Sequence, residues 1–180
     1  NNGPQRKKDR LSADLACSVE YIKAFEFFYA LDAESKRSII LRSALVLANF
    51  TAVFASSVHR ENFKRPTLLF SRAIQAMQRI SLSVQEASIV KALIICNPAI
   101  GGIAPADLPI LSAESEAYGR MLFALLLESR GAAAPVVYVE IISLFEILIQ
   151  QAQKQKSQRL LMSVLGQETV CPLLDEIMMT

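Results

Sequence analysis

The residues able to do chemistry are few, and two small groups stand out. Val19 and Lys23 are four positions apart, as are Leu173 and Ile177, with Glu176 beside Ile177. In a helix that spacing puts each pair on one face. A lysine set beside apolar residues can bond the free carbonyls at the C-terminus of a docked helix. A glutamate can bond the free amides at its N-terminus. The plainer alternative is an ordinary solvated lysine and a C-terminal core helix. Asn49, a lone amide in an apolar run, likewise has two readings. It can orient a ligand hydroxyl or carbonyl, or it can be a buried amide satisfied by its neighbours.

Other chemistry finds little support. Cys17, Cys96 and Cys171 are scattered, no CxxC occurs, and His59 is the only histidine. A structural zinc needs about four closely spaced ligands, and an odd cysteine count supplies no disulfide framework. A reducing compartment fits better. With no phosphate loop and no nucleophile motif, the chain is not expected to be an enzyme. The formal charge of +2 would not drive nucleic-acid binding. Basic residues gather at Arg6, Lys7, Lys8 and Arg10, so residues 1–10 are expected to be a disordered basic lead-in to a domain over 11–180. The apolar stretches Ala44–Ala55 and Val136–Ile149 are interrupted by Asn49, Glu140 and Glu146. They are shorter than the roughly 20 residues a bilayer requires, so they read as core helices and no membrane association is expected.

The elements that must position these residues are helical. The chain is 52% hydrophobic, with six Gly, seven Pro and no Trp, too few turn-formers for a sandwich or barrel. Apolar periodicity predicts helices over Ser12–Tyr29, Asp32–Ser57 and Thr67–Ile80. The second is apolar nearly all round, as a surrounded central helix must be. Ser83 and Glu86 form a capping-box pattern that starts a helix ending at Asn97-Pro98. Ala99–Pro109, with Gly101, Gly102, Pro105 and Pro109, is a loop. A fifth helix spans Ser112–Ser129. A long one follows from Pro135 to Leu165, polar over Gln150–Arg159, with Gly166 as its cap. Pro172 opens a last segment of about two turns, too short to be stable alone. Its order must come from docking.

Two stretches at opposite ends of the chain resemble the nuclear-receptor ligand-binding domain. Lys23, Phe28 and Leu31 match that family's signature; Ser35-Lys36 stand in its Asp-Gln position and Ile39-Ile40 replace its Leu pair. Leu173-Leu174-Asp175-Glu176-Ile177-Met178 matches the activation-helix pattern of two apolar residues, any residue, Glu and two apolar. The helix ending at Asn97-Pro98, the Gly-containing loop and the long helix fall in the same order as in the family. The closest resemblance is to the retinoid-X and hepatocyte-nuclear-factor group, with departures that suit a divergent, nematode-type member.

The resemblance implies an all-α, layered helical sandwich, short at its N-terminus. It implies a groove for LxxLL-type coactivator or corepressor helices, with Lys23 and Glu176 as jaws. Val19, Phe28, Ile40, Leu173 and Ile177 would line the floor and Lys36 the rim. Arg37 stands where the groove is usually apolar. A pocket for a small lipophilic ligand would be lined by Leu11, Leu15, Ser18, Leu45, Ala48, Asn49 and Ala52. The family's usual ligand-holding Arg falls at Ala55 or Ser56 here, which argues against an acidic ligand held by it. The Val58–Pro66 connector is too short for the β-turn that commonly closes the pocket, which implies a pocket that is small, open or absent and an orphan receptor. Nuclear localisation, homo- or heterodimerisation through Pro135–Leu165, and DNA binding only through a zinc-bearing domain outside this sequence are implied too. A helical lipid carrier or scaffold is the alternative.

Overall fold

A computed structural model describes the backbone of residues 3–58, 68–165 and 172–179, and the side chains of 11–58, 70–165 and 175–179. His59, Cys171, the Gly166 cap and the side chain of Leu173 lie outside the described residues.

Eight α-helices account for the regular structure among the described residues: α1 Gly3–Lys23, α2 Glu26–Ala30, α3 Ala33–Val58, α4 Leu68–Ile80, α5 Val84–Ile95, α6 Leu108–Arg130, α7 Ala134–Val164 and α8 Pro172–Met179. A single 3-10 turn, Gly131–Ala133, joins α6 to α7. Among the described residues the chain is thus all-α, its helices packed in layers as the sequence reading expects. α3 and α5 lie between α1 on one side and α6 and α7 on the other, and α3 also packs on α4, α7 and α8. Its buried residues run almost unbroken from Ser43 to Phe50, as its all-round apolar sequence requires. α3 is apolar and long enough to cross a bilayer, but most of that stretch is buried against other helices. It is a core helix.

Three boundaries differ from the sequence reading. The backbone of α1 begins at Gly3, within the expected disordered lead-in. The first predicted helix is interrupted at Phe25, whose extended backbone (φ −79°, ψ 133°) separates α1 from α2. Apolar periodicity continues through this break. The break sets Phe25 among Tyr21, Phe27 and Tyr118, with ring centroids 5.4, 5.6 and 6.3 Å away. Finally, α6 starts at Leu108 instead of Ser112, with Pro109 in its first turn. Proline is accommodated there because its missing N–H would have no helical partner.

Several starts follow from local chemistry. Asp32 Oδ1 accepts the Ser35 amide at 2.6 Å and caps α3. At α5, Ser83 Oγ accepts the Glu86 amide at 3.1 Å while Glu86 Oε2 accepts the Ser83 amide at 2.7 Å, completing the capping box.

Candidate functional site: the docked C-terminal helix and its groove

The C-terminal helix α8 is too short to persist alone, and its burial pattern shows what orders it. Ile177 is fully enclosed and Met178 nearly so, whereas Glu176 and Met179 face outward. α8 packs on α3, α7 and α1 together. Burying an Ile and a Met contributes about 1.5–3 kcal/mol each.

Its two adjacent acids reach opposite neighbours. Asp175 accepts a hydrogen bond from Arg159 Nη2 of α7. Glu176 Oε1 accepts from Arg37 of α3, at 3.1 Å from Nη2 and 3.3 Å from Nε. The Arg159 pair is the better shielded, with Arg159 only 12% exposed, against 62% and 49% for Arg37 and Glu176. α8 is therefore anchored by an apolar pair and flanked by one ion pair to α3 and one to α7.

The expected groove residues divide by exposure. Val19 and Ile40 are half-buried, with surface left to meet a partner, while Phe28 and Ile177 are buried. The last two are too enclosed to form an open face. Lys23, at the C-terminus of α1, is exposed and donates to Glu20 Oε1 at 2.8 Å. That hydrogen bond and the Glu20 charge raise the lysine's affinity for its proton. Lys36 donates to the Tyr29 carbonyl at 3.0 Å and lies 6.0 Å from the centre of the Phe28 ring. Both proposed jaws thus have intramolecular partners: Glu20 for Lys23 and Arg37 for Glu176. Sequence reasoning singled out Arg37 as out of place but had no means of pairing it, since 139 residues separate it from Glu176.

Ser35, standing in the Asp position of the family signature, is fully buried. Its hydroxyl accepts the Ala104 amide at 3.0 Å, and the Asp107 carboxylate accepts the Asp32 amide at 3.0 Å. These bonds hold the α5–α6 loop against the start of α3. The Asp32 amide and the Ser35 side chain keep the Asp107 carboxyl below its ordinary pKa.

The expected ligand-lining residues do not gather around one cavity. Leu15 and Leu45 are fully buried in the core, and Leu11 packs against that core. Ser18, Ala48 and Ala52 share a depression of about 240 Å³ with Cys17, Tyr21 and Lys91. Ser18 donates to the Asp14 carbonyl at 2.8 Å. Asn49 is buried and donates to Gln155 Oε1 at 2.8 Å, so its amide is satisfied from α7. One turn before Gln155, on the same face of α7, Gln151 is 3% exposed and both its amide atoms lack a hydrogen-bond partner. The sequence reading treated Gln150–Arg159 as a polar, partly exposed stretch and missed this residue. The signal was available in register alone: Leu144, Leu148, Gln151 and Ala152 continue one buried stripe.

No protein-family profile matches the chain. Among curated proteins it is similar to several nuclear hormone receptor family members of Caenorhabditis elegans. It is 26% identical to nhr-153 over 87% of this chain and 43% of that protein. It is 24% identical to nhr-136 over 80% and 38%, and 26% identical to nhr-60 over 83% and 36%. The chain spans about two fifths of the length of these relatives. The matches support a nuclear-receptor-like domain. They do not carry the finer placement near the retinoid-X and hepatocyte-nuclear-factor group.

Proposed function

We propose that this chain is the coregulator-docking domain of a nuclear-receptor transcription factor, and that α8 closes a groove for LxxLL-type helices. The observation that carries this reading is the seating of α8. An eight-residue helix has its order supplied by Ile177 and Met178, and it carries the outward Glu176 against α1 and α3, the helices that bear the half-buried Val19 and Ile40. Lys23 and Glu176 cap the two ends of the peptide helix once they release Glu20 and Arg37. Each exchange replaces an exposed ion pair, worth about 0–1 kcal/mol, by hydrogen bonds between a charged group and otherwise unpaired backbone.

The engagement of Asn49 by Gln155 and the full burial of Leu15 and Leu45 favour an orphan receptor whose α8 docks without a ligand. Among the described residues, Gln151, which was not among the expected lining residues, is an interior position at which a polar ligand atom would gain hydrogen bonds. A dimer face on α6 and α7 is supported by exposed Met121, Leu127, Val136, Val139 and Ile142. The relatives' family supports a nuclear, non-enzymatic role, with DNA contacted by another part of the full-length protein.

Fluorescence anisotropy with a labelled LxxLL peptide tests the reading. Wild type is expected to bind, and Lys23→Ala and Glu176→Ala are each expected to weaken binding about tenfold, the order of one charged hydrogen-bond set. Absent binding, or binding indifferent to both changes, would leave the carrier or scaffold alternative.

A further inference from the structure

A half-open cleft of about 370 Å³ lies between α3, α7 and the α5–α6 loop. It involves none of the groove residues. Its floor is apolar, made by Val46, Ile94, Phe145 and Ile149. Two cations stand over that floor, Arg42 from α3 and Lys156 from α7, and no carboxylate is among the residues lining the cleft. The Arg42 guanidinium lies close against the loop, its Cζ within 3.5 Å of where a Cβ on Gly101 would stand. Lys156 Nζ has only a long bond to the Leu41 carbonyl, 3.4 Å. Burial, and then the charge of Arg42, weaken its hold on its proton.

Two like charges at one partly desolvated site repel, and no acid among the lining residues offsets them. Such a pair is stabilised by an anion that takes hydrogen bonds from both, and Arg presents a planar fork suited to a carboxylate. Asn97 and Gln153 at the rim add amide donors. The cleft volume corresponds to roughly a dozen water volumes, enough for a carboxylate on a compact apolar body.

We propose that this cleft is a binding site for a small organic carboxylate, its acid group between Arg42 and Lys156 and its apolar body on Phe145 and Ile149. The ligand would bridge α3 to α7 and to the loop that Ser35 holds through Ala104, so it would brace the two helices that also carry Arg37 and Arg159.

The test uses 2-naphthoate and its neutral isostere 2-naphthamide, titrated into the full chain by calorimetry and by backbone amide NMR. The expected result is saturable naphthoate binding with shifts at Gly101, Gly102 and Gln153. Naphthamide should bind at least tenfold more weakly, and Arg42→Met and Lys156→Met should each weaken naphthoate at least tenfold. Ile149→Trp, which fills the floor and leaves both cations, should abolish binding. No saturable naphthoate binding, equal binding of the amide, or shifts confined to other residues would overturn the proposal. LxxLL-peptide binding, measured on the same samples, reads the groove separately.

Discussion

Arg37 Nη2 stands 3.1 Å from Glu176 Oε1, joining the first turns of the central helix to the outward acid of α8. The pair occupies the carboxylate that the proposed clamp requires. Two effects oppose each other when Arg37 is removed. The exposed pair contributes about 0–1 kcal/mol to holding α8, small beside the burial of Ile177 and Met178. A released carboxylate makes charge-assisted bonds to a peptide's N-terminal amides at no cost of breaking the pair. The second effect wins, so Arg37→Met is expected to tighten LxxLL-peptide binding about two- to fivefold, the equivalent of under about 1 kcal/mol. Anisotropy at low and high salt checks this, and the wild-type affinity should approach that of the variant as salt screens the pair.

Ile177 anchors α8 and has no exposed surface. Ile177→Ala removes its buried methyl groups at a site flanked by α3, α7 and α1, with an expected cost of about 2–4 kcal/mol. That loss exceeds what an ion pair to Arg159 or Arg37 can restore. Because α8 opens as a local unit, the expected outcome is selective. Limited proteolysis should cut within Pro172–Met179, peptide binding should be lost, and the main thermal transition should move little. A large fall in Tm would mean that α8 is integral to the core.

How far these relations could be read in advance depends on their range along the chain. Ser83 with Glu86, Asn97-Pro98 and Pro135 mark helix ends through bonds made or forbidden within a few residues, and the helices form where those marks stand. The break at Phe25 brings its ring against Tyr118, almost a hundred residues on, a contact that local periodicity, running straight across the break, cannot register. Lys23 and Glu176 were legible as chemical types from the resemblance. Their actual partners depend on how α1, α3 and α8 meet. The cleft of Arg42 and Lys156 is likewise invisible in sequence, since two basic residues on separate helices read as ordinary solvated charges.

The thiols differ sharply in environment. Cys96 is fully buried at the end of α5, and burial pushes its thiol up to about 12. Cys17 is exposed on α1. Since the thiolate is the reacting species, a brief treatment of native protein with iodoacetamide near neutral pH should label Cys17 and leave Cys96 unmodified. Peptide mass mapping checks this, and Cys96 should label only after denaturation.

Glu86 is buried at the start of α5, where burial favours its neutral form. Hydrogen bonds from Ser83 and Ser129 and the charge of Arg130, with Nη2 3.4 Å from Oε2, outweigh that effect and hold its pKa below the ordinary value. A carboxyl whose folded pKa lies below its unfolded one contributes stability above the unfolded value, near pH 4.3 for Glu. The contribution is lost as pH falls through the folded pKa. Glu86→Gln keeps an acceptor for the Ser83 amide but removes the charge, and is expected to cost about 1–3 kcal/mol at neutral pH. The difference between the two proteins in urea denaturation should shrink below about pH 4.

Gln151 sets stability against function most directly. It is buried on α7 with both amide atoms unpartnered. A buried polar group left without hydrogen bonds costs about 1–3 kcal/mol, and Leu has nearly the same volume without that cost. Gln151→Leu is therefore expected to stabilise the domain by about 1–2 kcal/mol, read as a rise in the urea midpoint with an unchanged m-value. Leaving Asn49 bonded to Gln155 confines the change to one residue. If Gln151 instead serves a polar ligand, the variant should gain the same stability in purified protein and lose retention of lipophilic molecules in native mass spectrometry. A destabilised variant would mean that the glutamine is satisfied within the fold.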